Sequence, residues 1–108
     1  MINAVLKTAD NGLYSGFEVK GHAGKAPYGK DIVCAAVSTA VQMALIGIDE
    51  VAGVKNTYVI DDAYIKCDIP QNLSEKQSEC VQSLVSAMHL CINSIAEQYQ
   101  DFVQVKED

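Results

Sequence analysis

The sequence predicts a single α+β domain, in which two long helices pack on a mainly antiparallel sheet with the element order ββαββαβ. Its 108 residues suit one domain, and a composition that is 49% apolar allows a compact core. Strand-like runs occur in pairs around turn signals, and each pair is followed by one long helical stretch. Segregated hairpins and helices of this kind are typical of α+β folds, so we assign residues 1–108 to one domain.

The first hairpin is predicted from residues 2–8 and 13–20, which flank an Asp-Asn-Gly turn signal at positions 10–12. Residues 21–30 follow, and three glycines and one proline fall within them. Neither a helix nor a strand favours that composition. We therefore predict a mobile loop over about residues 21–30.

The first helix is predicted to begin after Asp31 and to end at Gly53. Apolar residues and alanines surround most of its circumference, which predicts burial at the centre of the domain. Polar residues interrupt its most apolar stretch, residues 32–48, so we expect no membrane span.

The second half repeats the order of the first. Residues 56–60 and 63–69 form a second predicted hairpin, Ser74 caps a helix that runs to about Gln100, and residues 102–106 form a last strand. The second helix has an apolar stripe that consists of Leu84, Met88, Cys91 or Ile92, Ile95 and Tyr99.

The charge of the chain argues against direct nucleic-acid binding. The net charge is −6, and all positive charges are lysines, whereas nucleic-acid recognition favours a basic face with arginines. A basic polypeptide is a better partner for an acidic surface. The first ten residues lack the basic segment and long apolar core of a signal peptide, so we expect a cytoplasmic protein.

Four cysteines occur, and no CxxC or cysteine–histidine cluster suggests a zinc site. We expect free thiols, no metal and no cofactor. Within this group, Cys67, Cys80 and Cys91 are interpreted as core residues. We interpret His89 as a packed or surface histidine without a chemical role.

Cys34 is the exception, because it falls in the first turn of the predicted helix. Free backbone N–H groups and the positive end of the helix dipole stabilise a thiolate there, and the same N–H groups could hold an oxyanion. His22 precedes Cys34 by twelve residues, between a predicted strand and the glycine-rich loop. A thiol beside an imidazole is the usual activated nucleophile of cysteine peptidases. Asp31 either caps the helix or orients the imidazole, and we favour the cap.

The segment GHAG, followed by YGKDIVCAAVS, resembles the signature of the ribosomal-processing cysteine protease family Prp. Chain length, element order and the position of the motif near the N-terminus agree with that family. The resemblance implies that Cys34 is the nucleophile and His22 the general base. The other positions that match the family's characteristic residues are Gly21, Gly24, Gly29, Asp31 and Ser38. Ser38 follows Cys34 by one helical turn, where its hydroxyl could support the thiol.

The resemblance also implies a substrate and an assembly. Members of the family remove an N-terminal extension from large-subunit ribosomal protein number twenty-seven, after an aromatic-rich segment, and form homodimers. A loop that contains Tyr28 could close over such an extended peptide. Thiol acyl transfer needs no metal or organic cofactor.

Two other functions remain open from the sequence. The chain could be a non-catalytic ribosome-associated module whose glycine loop holds a peptide, in which case the Cys34 thiol would be unreactive. It could also be a redox sensor, which would need a resolving thiol, and Cys67 is the candidate outside the second helix.

Overall fold

A computed structural model describes residues 1–24, 31–55 and 57–108, and within them the chain forms five strands and two helices in the order ββαββαβ. The predicted α+β fold is therefore confirmed. A π-helical turn, Gly47–Val51, continues the first helix almost to the predicted end at Gly53. The elements are β1 (Ile2–Thr8), β2 (Tyr14–Lys20), α1 (Ile32–Ile46), β3 (Thr57–Asp61), β4 (Tyr64–Asp68), α2 (Glu75–Gln98) and β5 (Val103–Glu107).

The strands form one sheet in the order β3-β4-β2-β1-β5. Three pairings are antiparallel, and the pairing of β1 with β5 is parallel. Leu6 lies opposite Phe17, and Phe17 lies opposite Cys67, so these apolar side chains line one face across three strands. Next to the Phe17–Cys67 pair, Gly16 of β2 lies opposite Asp68 of β4. A Cβ on Gly16 would lie 2.5 Å from the backbone oxygen of Cys67. Only glycine allows β2 and β4 to approach so closely there.

The core forms where the apolar face of the sheet meets the two helices. The fully buried side chains come from both layers and include Leu6, Phe17, Cys67, Val33, Val37, Val41, Val81, Val85, Met88 and Ile92. Val, Leu, Ile and Phe side chains each contribute about 1.5–3 kcal/mol when fully buried, so this layer is the main stabilising feature of the domain.

The prediction that the first helix is buried at the centre is wrong. On α1, Ile32, Met43 and Ile46 are 60%, 51% and 57% exposed. The reason is that α1 packs against α2 and one face of the sheet, and no further layer covers its outer side within the residues described.

The expectation that this region is too polar for a membrane span also needs correction. The helical stretch Ile32–Val51 has 20 residues and is long and apolar enough to cross a bilayer, judged by length and composition alone. In the fold this stretch provides side chains to the core, and a helix that packs in a core can be as long and as apolar as a membrane span.

The second helix begins with a capping box, in which Ser74 and Gln77 each bind the other's backbone N–H. Cys67 on β4 is buried as predicted and Cys80 is half-buried, but Cys91 is exposed, so its assignment to the core is wrong. Ile92 takes the inward position instead. His89 is buried, with its Nδ1 atom 2.8 Å from the Tyr14 hydroxyl and its Nε2 atom 3.4 Å from Glu107.

Candidate active site

Asp31 caps α1, as predicted, and so fixes the position of Cys34 in the first helical turn. One carboxylate oxygen of Asp31 accepts hydrogen bonds from the backbone N–H groups of Val33, at 2.9 Å, and Cys34, at 3.1 Å. The side chain of Asp31 is buried, which shields both bonds from water. The thiol of Cys34 is half-buried.

The same cap changes the expected chemistry of the helix start. The sequence predicted free first-turn N–H groups that could hold an oxyanion, but those of Val33 and Cys34 are not free, because both donate to Asp31. A carboxylate at this position also offsets part of the positive potential of the helix end.

The segment that carries His22 is fixed by backbone contacts on both sides. The N–H of Gly21 donates to the Ala63 carbonyl at 2.8 Å, and the Met1 nitrogen donates to the His22 carbonyl at 2.6 Å. Gly21 has a φ of +101°, and a Cβ there would collide with the Met1 carbonyl oxygen. Gly21 thus positions His22 through a close backbone approach that no other residue permits.

The segment that carries His22 also contacts Cys34 directly, through Ala23. The backbone N–H of Ala23 donates to the Cys34 sulfur at 3.2 Å, and the Ala23 side chain is buried. Sequence reasoning missed Ala23, because an alanine side chain carries no chemistry. Its position beside His22 was the available signal.

His22 and Cys34 line the same surface pocket, which has a volume of about 220 Å³. The predicted residue Ser38 lines it as well, and its hydroxyl accepts a hydrogen bond from the Gln42 side chain at 2.8 Å. The apolar part of the pocket lining consists of Ile2, Val19, Val37, Val41, Ile60 and Ile65. The pocket can therefore accept an apolar side chain next to the thiol.

The β3–β4 hairpin also lines the pocket, and sequence reasoning did not connect this hairpin with the site. Asp61, Asp62 and Tyr64 from this hairpin line the pocket. The Tyr64 hydroxyl donates to Glu18 at 3.1 Å, and partial burial together with this bond raises the pKa of Tyr64. The phenol therefore stays protonated and neutral at the pocket wall.

Two predicted loop residues, Tyr28 and Gly29, lie outside the described residues, as do positions 25–30 of the predicted mobile loop. The predicted residue Gly24 is described: it is exposed and has a φ of +77°. A Cβ on Gly24 would meet no atom within 4 Å, so its backbone conformation, rather than space, favours glycine.

Cys67 is poorly suited to the resolving role that a redox sensor requires. Burial, with a smaller contribution from Asp68, raises the pKa of Cys67 to about 12. The thiolate is the reactive species in disulfide exchange, and it is scarce at neutral pH for such a thiol.

Three comparisons place the chain among known proteins. A family model described as "Cysteine protease Prp" matches residues 1–104. The chain is 32% identical over 108 residues to the ribosomal processing cysteine protease Prp of Bacillus subtilis (strain 168), an alignment that covers 97% of this chain and 96% of the relative.

Solved structures share the fold of this chain. The crystal structure of the ribosomal processing protease Prp from S. aureus, in complex with a covalently linked product peptide, has a TM-score of 0.89 at 21% identity and full coverage of both chains. The structure of SMU.848 from Streptococcus mutans has a TM-score of 0.84 at 35% identity, covering 99% of this chain and 93% of that one.

The family match extends over nearly the whole chain and includes the segment that joins His22 to Cys34. It favours an enzyme over the non-catalytic binding module. The chain belongs to the ribosomal-processing cysteine protease family Prp and is a cysteine-type peptidase.

Proposed function

We propose that the protein is an endopeptidase in which Cys34 is the nucleophile and His22 the general base. The observation that carries the proposal is that both residues line one pocket, where the residue after His22 donates its N–H to the Cys34 sulfur. The apolar part of the pocket lining suits a substrate with aromatic or aliphatic side chains near the cleaved bond.

The proposed reaction has two stages. The His22 imidazole removes the thiol proton, the Cys34 sulfur attacks the scissile carbonyl carbon, and the carbonyl electron pair moves to oxygen. The C–N bond then breaks, and the imidazolium gives its proton to the departing amine. Water, deprotonated by His22, attacks the remaining thioester, which releases the acid product and restores the thiol.

The proposed substrate is large-subunit ribosomal protein number twenty-seven with its N-terminal extension. The enzyme removes this extension after an aromatic-rich segment. The net charge of −6 favours encounter with a basic ribosomal protein, and the apolar pocket accepts the aromatic residues. Because the proposed substrate is a ribosomal protein, we propose that the enzyme acts in the cytoplasm. Cell fractionation tests this location.

The test is incubation of the purified protein with the extended ribosomal protein, read by mass spectrometry. Cleavage is expected with the unaltered enzyme and is expected to be lost with Cys34→Ala. The matched control is Cys91→Ala, since Cys91 is an exposed cysteine on α2. Unimpaired cleavage by Cys34→Ala would refute the proposal.

We also propose that the enzyme is a homodimer. The exposed apolar side chains of Ile46 on α1 and of Tyr58 and Ile60 on the edge strand β3 line one shallow cleft, and Met43 on α1 is exposed as well. Contiguous exposed apolar surface of this kind marks interaction sites. Sedimentation equilibrium should give twice the 11.6 kDa chain mass, and Ile46→Glu should reduce it to the monomer value. Leu90→Glu, on exposed α2 surface, is the control that should not.

A further inference from the structure

We propose that the backbone N–H of Ala23 is a catalytic group that stabilises the Cys34 thiolate. The inference rests on the proposed role of Cys34 as the nucleophile. It assigns the stabilising donor to the segment that carries His22, rather than to the first turn of α1.

The first step is the hydrogen bond itself. The Ala23 nitrogen lies 3.2 Å from the Cys34 sulfur, with the N–H directed at it. A neutral thiol is a weak acceptor, whereas a thiolate accepts such a bond strongly. A donor aimed at the sulfur therefore favours the charged form over the neutral one.

The second step concerns the N–H groups in the first turn of α1. The N–H groups of Val33 and Cys34, which a bare helix N-terminus would offer to the thiolate, donate to Asp31 at 2.9 and 3.1 Å. The N–H of Ala35 makes the ordinary helical bond to the Asp31 carbonyl, at 3.1 Å. Because the Asp31 carboxylate accepts from Val33 and Cys34, the Ala23 N–H has a role that these two donors do not fill.

The third step is that Ala23 is held in place. Its side chain is 5% exposed and belongs to the core cluster. The preceding residues Gly21 and His22 are anchored by backbone hydrogen bonds to Ala63 and Met1. A donor fixed before the thiol ionises needs no rearrangement when charge develops, which is the condition under which such donors contribute most.

The arrangement also explains how base and donor cooperate. As His22 removes the thiol proton, negative charge appears on the sulfur to which Ala23 donates. When the sulfur attacks the carbonyl carbon, its charge passes to the carbonyl oxygen, and the bond from Ala23 weakens. The N–H thus acts on the reactive thiolate that exists before attack.

The decisive variant replaces the amide by an ester. Ala23→lactic acid, made by chemical ligation, keeps the methyl side chain and exchanges the N–H for oxygen. Ala23→Pro is the genetically encoded counterpart. The matched control is Leu90→leucic acid, which deletes one backbone N–H in α2, where the Leu90 side chain is exposed.

The measurement is iodoacetamide alkylation of each cysteine between pH 5 and 10, read by mass spectrometry of the digested protein. In the ester variant, the alkylation rate of Cys34 at pH 6 is expected to fall about tenfold, and the pH of its half-maximal rate to rise by about one unit. A purely structural role would lower stability without moving this midpoint. An unchanged Cys34 profile in a folded ester variant would overturn the inference.

A second measurement needs no altered backbone. In the unaltered protein, the NMR signal of the Ala23 amide proton should shift with pH at the same midpoint as Cys34 alkylation, and the shift should disappear in Cys34→Ala. Absence of this titration overturns the inference as well. Cleavage by Cys34→Ala would instead overturn the proposed function, so the two failures are distinguishable.

Discussion

The substitution Asp31→Ala tests the cap that positions Cys34, and the structure gives its expected cost. It removes the oxygen that accepts the N–H groups of Val33 and Cys34, at 2.9 and 3.1 Å. Loss of an N-cap side chain costs about 0.5–2 kcal/mol. Because Asp31 is 7% exposed and two donors lose the same acceptor, we expect the upper end, about 2 kcal/mol of unfolding free energy.

The assay is urea denaturation followed by far-UV circular dichroism. A loss of about 2 kcal/mol corresponds to a Tm that is roughly 10 °C lower for a domain of this size. Asp31→Ser keeps an oxygen that can cap the helix and should recover about half of the loss. The control is Asp101→Ala, an exposed aspartate between α2 and β5, which should change stability by less than about 0.5 kcal/mol.

Two outcomes would refute this reasoning. If Asp31→Ala is as stable as the parent, the two hydrogen bonds from Val33 and Cys34 do not stabilise the helix start. If Asp31→Ser is no more stable than Asp31→Ala, the cap does not depend on an acceptor at this position. A folded Asp31→Ser variant that has lost peptidase activity would show that the carboxylate also orients His22.

Three further predictions concern the scaffold. Gly16→Ala should lower the unfolding free energy by about 1–3 kcal/mol in urea, because its Cβ would lie 2.5 Å from a backbone oxygen of β4; an unchanged midpoint would contradict this close approach. For Cys67, burial raises the pKa from 9.0 to about 12, so the unfolded chain releases this proton first. Stability should therefore fall above pH 9, by up to about 1.4 kcal/mol per pH unit more than in Cys67→Ala, and equal slopes would argue against it. Tyr14→Phe removes the 2.8 Å bond to His89 and should cost about 1 kcal/mol, measured against the parent in the same denaturant series.

Much of the fold follows from local pattern. Turn signals and alternating residues located both hairpins, and Ser74 and Asp31 marked the two helix starts correctly. The pairing of β1 with β5 could not be predicted in this way, because it joins strands at opposite ends of the sequence and leaves no local signal. The exposed face of α1 was also missed, since its composition is apolar on all sides.

In the candidate site, too, some features follow from the sequence and others depend on the three-dimensional fold. The side chains of His22 and Cys34 could be chosen from the sequence because their chemistry is distinctive. Ala23 acts through its backbone, and its contact with the sulfur depends on how residues 21–24 are fixed in space. The wall formed by Asp62 and Tyr64 depends on the strand order, which brings β4 beside β2.

The parallel pairing of β1 with β5 has a consequence for how the chain folds while it is being translated. Ile2 pairs with Val103, and its N–H donates to the Phe102 carbonyl at 2.8 Å, while the adjacent Met1 contacts the segment of Gly21 and His22. The support of His22, the proposed catalytic base, therefore includes a contact that spans nearly the whole chain. Until β5 has been synthesised, β1 lacks one neighbour and the His22 segment lacks a firm anchor. We expect the nascent chain to be inactive until β5 has been synthesised and pairs with β1.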